Sequence, residues 1–130
     1  MTADLIRQLK TSTSIEIIRA SSYGCRGTTP GELVVMGLGE LDLSSQHVLI
    51  IDDIYDSGQT LFHLVSQVRE KKPKTLKTLV LLSKDVERKV TYSPDYVLFS
   101  IENLFVVGFG LDYKEQYRGL PGIYVFRGEL

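Results

Sequence analysis

Apolar and polar residues alternate between two periods along this chain. Val48 to Ile51 is an unbroken apolar run. A short run of that kind predicts a strand buried on both faces, as in a parallel sheet. Further on, Leu61, Leu64, Val65 and Val68 recur at i, i+3, i+4 and i+7, one face of an α-helix. Between the two lie Asp52 and Asp53 and then the small polar stretch Asp56-Ser57-Gly58-Gln59-Thr60. The expected order is therefore strand, acidic edge, tight turn, helix. Lys71-Lys72-Pro73 supplies the helix stop, with basic residues in the last turn followed by a breaker.

The same reading extends to both ends. Ala3 to Lys10 reads as a short helix with Leu5, Ile6 and Leu9 on one side. The β-branched stretch Ile15 to Arg19 predicts a strand, and so does Glu32 to Leu38. Ser21 to Gly31, with three glycines and a proline, predicts a long loop between them. Gly39 to His47 is a connection. Leu76 to Leu82 predicts a second buried strand that ends at Ser83-Lys84. Tyr96 to Ile101 is a further strand, and Gly122 to Arg127 contains the last. Strands separated by a helical pattern indicate an α/β fold with a mostly parallel sheet.

Composition narrows the function classes. A chain of 130 residues with 43% apolar residues fits one domain with a real core. The net charge of −1 gives no electrostatic reason to expect nucleic acid or a membrane surface as partner. The single cysteine, Cys25, excludes an internal disulfide and suits a reducing, cytoplasmic setting. No apolar run approaches a membrane span, and Met1 to Lys10 lacks the apolar core of a signal peptide.

Candidate chemistry gathers after the first buried strand. Ligands of open α/β sheets sit beyond the carboxyl ends of the strands. A helix N-terminus leaves backbone N–H groups unpaired and carries partial positive charge, which suits a phosphate. Gly58 permits close backbone approach, and Ser57 and Thr60 add hydroxyls. Asp52 and Asp53 suit ribose hydroxyls or Mg²⁺, a hard cation that takes oxygen ligands. The plainer alternative is a strand–helix turn whose Asp and Ser only cap the helix. Three carboxylates within five positions fit that alternative poorly.

VLIIDDIYDSGQTL, Val48 to Leu61, resembles the phosphoribosyl-pyrophosphate (PRPP) loop of type I phosphoribosyltransferases: an apolar strand, two acids, two further residues, then Asp, Ser or Thr, Gly, any residue, Thr. FVVGFGLDYKEQYRGLP, Phe105 to Pro121, is similar to a segment of the hypoxanthine-guanine branch. The resemblance implies the type I fold, a Rossmann-like, mostly parallel sheet flanked by helices with a flexible lid loop. It implies Mg²⁺-dependent transfer of the phosphoribosyl group from PRPP to N9 of hypoxanthine or guanine, giving IMP or GMP and pyrophosphate. By position, Asp56 is the general base and Asp52, Asp53, Asp56, Ser57, Gly58, Gln59 and Thr60 hold PRPP. Lys84, Phe105, Val106 and Asp112 meet the purine, with Lys84 donating to its exocyclic oxygen. Ser22 and Tyr23 belong to the lid, Arg118 contacts pyrophosphate, and Asp52, Asp53 and Asp112 serve the metal. The resemblance also implies a homodimer or homotetramer.

Each assignment has a plainer competitor in the residues alone. Ser21 to Gly31 also fits an ordinary surface connection. Lys84 also fits a solvated lysine opening the charged loop Asp85, Glu87, Arg88, Lys89. Phe105 also fits core packing, and Asp112 with Arg118 a surface ion pair. Family members carry a strand and a pyrophosphate-binding turn ahead of the part that matches Met1, and nothing in Met1 to Lys10 replaces them. Asp52 stands where many members have Glu, and Tyr55 where the residue is usually aliphatic. A non-catalytic PRPP- or nucleotide-binding protein would share most of these motifs. A phospho-receiver domain would need an acceptor Asp ending an intermediate strand, and no such strand lies between the acid pair and Asp56.

Overall fold

Three parallel strands form the centre of the molecule: β3 (His47–Tyr55), β4 (Thr75–Lys84) and β5 (Tyr96–Ile101), hydrogen-bonded in that order. The computed structural model describes residues 1–22, 33–88 and 90–128. β3 passes into α2 (Gln59–Glu70), which returns the chain to β4 in a βαβ unit. The register places Ile50 beside Thr78 and Asp52 beside Val80, and β4 in turn sets Leu82 beside Phe99.

The helical spacing in the sequence marks the buried face of α2. Leu61, Val65 and Val68 are its buried residues, and they form one core cluster with Ile50, Val80, Tyr55 and Leu38. Burial of side chains this size contributes about 1.5–3 kcal/mol each, which fixes α2 against the sheet. Lys71 follows the helix and donates from Nζ to the carbonyls of Gly39 and Leu41 at 3.0 and 2.8 Å. A second cluster joins Leu81, Leu82, Val106 and Leu111.

The remaining elements are short. α1 is Thr2–Gln8, β1 Arg19–Ser22 and β2 Leu33–Met36, the last two antiparallel with Arg19 opposite Met36. β6 (Val106–Val107) and β7 (Tyr124–Val125) form a small antiparallel pair. No helix among the described residues is long and apolar enough to cross a membrane.

Several boundaries depart from the sequence reading. The strand expected at Ile15–Arg19 begins only at Arg19, and residues 13–18 hold no regular structure. Ile17 is 90% exposed. β-Branched residues favour extended backbone, but Ile15 to Ile18 pair with no strand among the described residues. β3 runs four residues past the apolar core of its sequence, through both acids to Tyr55. The strand expected over Gly122–Arg127 is reduced to two residues.

Candidate active site

The acids of β3 are positioned by strand geometry. Successive side chains of a strand point to opposite faces. Asp52 and Asp53 accordingly differ in surroundings, Asp52 being half-buried and Asp53 exposed. Each also accepts from the next backbone N–H, Asp53 N donating to Asp52 Oδ1 at 3.0 Å and Ile54 N to Asp53 Oδ1 at 2.7 Å. Burial pushes the Asp52 carboxyl above its ordinary range, and the neighbouring Asp53 charge adds to the shift.

The turn after β3 is fixed by Gly58. Its φ of 79° lies in the left-handed region, and it caps α2 from there. A Cβ at this position would stand 2.6 Å from Val90 Cγ2 and 2.8 Å from the Tyr55 hydroxyl. Neither the conformation nor the space admits a side chain. The first turn of α2 contains no acidic residue, so nothing there offsets its partial positive charge. Asp56, Ser57, Gln59 and Thr60 are exposed around it.

Three distant segments meet beside this turn. A cleft of about 230 Å³ is lined by Asp53, Ile54 and Asp56 from β3 and its turn, by Lys84 from the end of β4, and by Phe105, Val106, Leu111 and Asp112. Lys84 Nζ lies 3.0 Å from Asp56 Oδ2, and the Lys84 side chain is only 12% exposed. Lys84 is therefore not the solvated lysine that its charged neighbours allowed. Phe105 is 37% exposed and stands outside the buried clusters. Its ring packs edge-on against Tyr113 and Phe126, with centroids 5.8 and 5.9 Å away. The Val106 side chain is buried on β6. Asp112 and Arg118 do form an ion pair, at 2.8 Å, while another Arg118 nitrogen donates to the Gly110 carbonyl.

Not every residue named from the sequence falls in that cleft. Asp52 lines a second one, of about 360 Å³, with Met1, Thr2, Ile51, Asp53, Leu81, Phe109 and Gly110, so Asp53 alone borders both. Among the described residues no three His, Cys, Asp or Glu side chains are grouped to hold a metal ion. Ser22 contributes its backbone to the end of β1. Tyr23 and the rest of the expected lid lie outside the described residues.

The sequence reading missed residues that shape the site. Arg88 donates from Nε to the Asp56 carbonyl at 3.1 Å and from Nη2 to Ser83 Oγ at 3.0 Å and to the Lys84 carbonyl. Its guanidinium lies 4.5 Å from the centre of the Tyr55 ring. Nothing in the run Asp85 to Lys89 distinguishes this arginine from its charged neighbours. Of the two rings that frame Phe105, Tyr113 lies within the segment Phe105 to Pro121 but was given no role there, and Phe126 carries no sequence signal beyond being aromatic.

Known proteins match this chain in sequence and fold. The model of the phosphoribosyl transferase domain family matches residues 1–114. The hypoxanthine-guanine phosphoribosyltransferase of Bacillus subtilis is 40% identical over 125 residues, which is 96% of this chain and 69% of that one. The bifunctional protein TilS/HprT of Listeria innocua is 39% identical over 127 residues, and the chain spans 20% of its length. The hypoxanthine phosphoribosyltransferase of Trypanosoma cruzi, solved as a ternary complex with substrates, superposes with a TM-score of 0.87 at 41% identity, covering 97% of this chain and 69% of that one. The fold is accordingly the type I phosphoribosyltransferase fold. With the family model matching residues 1–114 and relatives about 40% identical over nearly all of its length, the chain belongs to the phosphoribosyltransferase family.

Proposed function

We propose that this protein is a purine-salvage enzyme that transfers the 5-phosphoribosyl group from PRPP to N9 of hypoxanthine or guanine, releasing pyrophosphate. The observation that carries this reading is the shared cleft: Asp56, Lys84, Phe105 and Asp112 come from distant parts of the chain and line one space. A phosphate at the N-terminus of α2 puts the ribose over the Asp53–Asp56 edge and the base between Lys84 and Phe105. Lysine only donates hydrogen bonds, so Lys84 suits the exocyclic oxygen of a 6-oxopurine and not the amine of adenine. The Phe105 ring supplies a stacking surface.

The protein's own residues then have defined tasks. Lys84 leaves Asp56 for the purine oxygen, and the freed Asp56 carboxylate accepts the proton that the purine loses. The phosphate turn and Phe105 hold the two reactants in line, which lowers the entropic part of the barrier. Positive charge developing on the ribose is offset by the carboxylates at the strand edge. Mg²⁺ is held commonly by one or two carboxylates together with substrate phosphates. Asp53 and Asp112 border the cleft and fit an ion that arrives with the diphosphate, whereas Asp52 borders the neighbouring one. Held by the Asp53 and Asp112 carboxylates, Mg²⁺ would offset the negative charge of the pyrophosphate leaving group. We also place the protein in the cytosol, as a homodimer or homotetramer.

The test is formation of IMP and GMP from hypoxanthine and guanine with PRPP and Mg²⁺, with adenine as the control base. Turnover of both 6-oxopurines and none of adenine is expected. Preference for adenine would overturn the assignment of Lys84. Binding of PRPP and IMP without turnover would favour a non-catalytic binder, the reading on whose side the Lys84–Asp56 ion pair stands, since it occupies the base.

A further inference from the structure

The two halves of the cleft come from the ends of neighbouring strands, whose pairing runs to Tyr55 beside Ser83. The phosphate turn hangs from β3, and Lys84 closes β4. Besides that pairing and the Lys84–Asp56 ion pair, one further side chain ties them together. Arg88 donates to the Asp56 carbonyl on one side and to Ser83 Oγ and the Lys84 carbonyl on the other, while its guanidinium lies over Tyr55, the last residue of β3. We infer that Arg88 is a positioning residue that sets the distance and angle between the phosphate-binding turn and the base-reading lysine. The inference rests on the function proposed above.

The chemistry favours arginine for this task. A guanidinium is a rigid fork of donors, always charged, able to serve several acceptors at once and to lie against an aromatic ring. A lysine at position 88 keeps the charge and could stay near Tyr55, but it presents one flexible donor centre. Arg88 touches backbone carbonyls of Asp56 and Lys84 rather than their carboxylate and ammonium. Its effect is therefore on where those groups stand. A ligand that uses only the turn is indifferent to that spacing. A ligand that spans both halves is not, because its two ends must be satisfied together.

The distinguishing experiment compares such ligands on Arg88→Lys and Arg88→Met by calorimetry or NMR titration, beside thermal melts. IMP reaches from the turn to Lys84, and ribose 5-phosphate occupies the turn alone. Both variants are expected to bind IMP at least about tenfold more weakly, as misaligned recognition elements do, while ribose 5-phosphate affinity stays within about twofold. Added guanidinium should recover part of the IMP affinity of Arg88→Met. Should neither variant fold, Ser83→Ala removes a single acceptor and should weaken IMP by a few fold with the same selectivity. Equal losses for both ligands, or no loss for IMP, overturn the inference. If the unmodified protein binds ribose 5-phosphate but not IMP, the base-reading assignment fails first and the role of Arg88 fails with it.

Discussion

Asp56 and Lys84 face each other across 3.0 Å, and both line the cleft. Replacing Asp56 by Asn removes the proposed proton acceptor and preserves the shape. Positioned general bases contribute about 10²–10⁴-fold, so Asp56→Asn should lower the steady-state rate of IMP formation by that order with little change in affinity for PRPP. Asp52 makes a different prediction. Burial, with help from Asp53, raises its folded-state pKa. A raised carboxyl pKa means the folded protein holds the proton more tightly than the unfolded chain does, so stability falls as pH rises from the unfolded value through the folded one. Asp52→Asn, which retains the acceptor for Asp53 N–H, should therefore raise the melting temperature at neutral pH. The gain should vanish in acid below both pKa values, as calorimetric melts across pH would show. Asp53, Asp56, Lys84, Phe105 and Asp112, which line the cleft, could be named from the sequence because the order and spacing of their segments are specific. Arg88 could not, because its partners are two carbonyls and a hydroxyl brought close only by the fold.

At the scale of elements, the passage from β3 to α2 depends on Gly58. Gly58→Ala would place its Cβ against Val90 and Tyr55 at a positive φ. Such sites cost on the order of 1–3 kcal/mol, and chemical denaturation should show a loss of that size together with weaker binding of ribose 5-phosphate. β4 and the segment before β5 are tied by Thr78, which is fully buried. Its hydroxyl meets the Tyr92 hydroxyl at 2.8 Å and Asp95 Oδ2 at 3.0 Å, and the Asp95 N–H donates to it. Thr78→Val keeps the volume and strands these partners, so a loss of about 1–3 kcal/mol is expected in the same assay. The hydrogen bond from Lys77, aided by those from Thr78, holds the Asp95 carboxyl below its ordinary range. That share of stability is present at neutral pH and is lost as pH falls through the lowered value. Element types were readable because buried parallel strands and a one-faced helix have distinct periods. Their limits were less so. Asp52 and Asp53 look like the end of a strand, yet backbone pairing with β4 carries β3 past them to Tyr55. Ile15 to Ile18 has strand composition, and no described strand pairs with it.

At the scale of the whole molecule, one exposed apolar strand lies outside the proposed function. Tyr96, Val97, Leu98 and Phe99 of the edge strand β5 are 40–60% exposed. An apolar edge strand invites pairing with another chain. Phe99→Lys should reduce concentration-dependent association in sedimentation velocity without altering the cleft. Nothing in the sequence set this strand apart from the buried ones, since YVLFSI is as apolar as the run that opens β3 and only the sheet order makes it an edge. The convergence of turn, strand end and aromatic segment was legible only through the family resemblance. Composition and periodicity place Lys84 and Phe105 on separate elements and do not bring them together.

The most direct measurement is a titration of the isotopically labelled protein with IMP, followed by NMR. If one cleft holds phosphate, ribose and base, amides of the turn Asp56–Thr60 and of Phe105–Val106 should shift together, with a single dissociation constant, and the Lys84 ammonium should shift with them. Shifts confined to the turn, or separate saturation at the two places, would contradict a shared site.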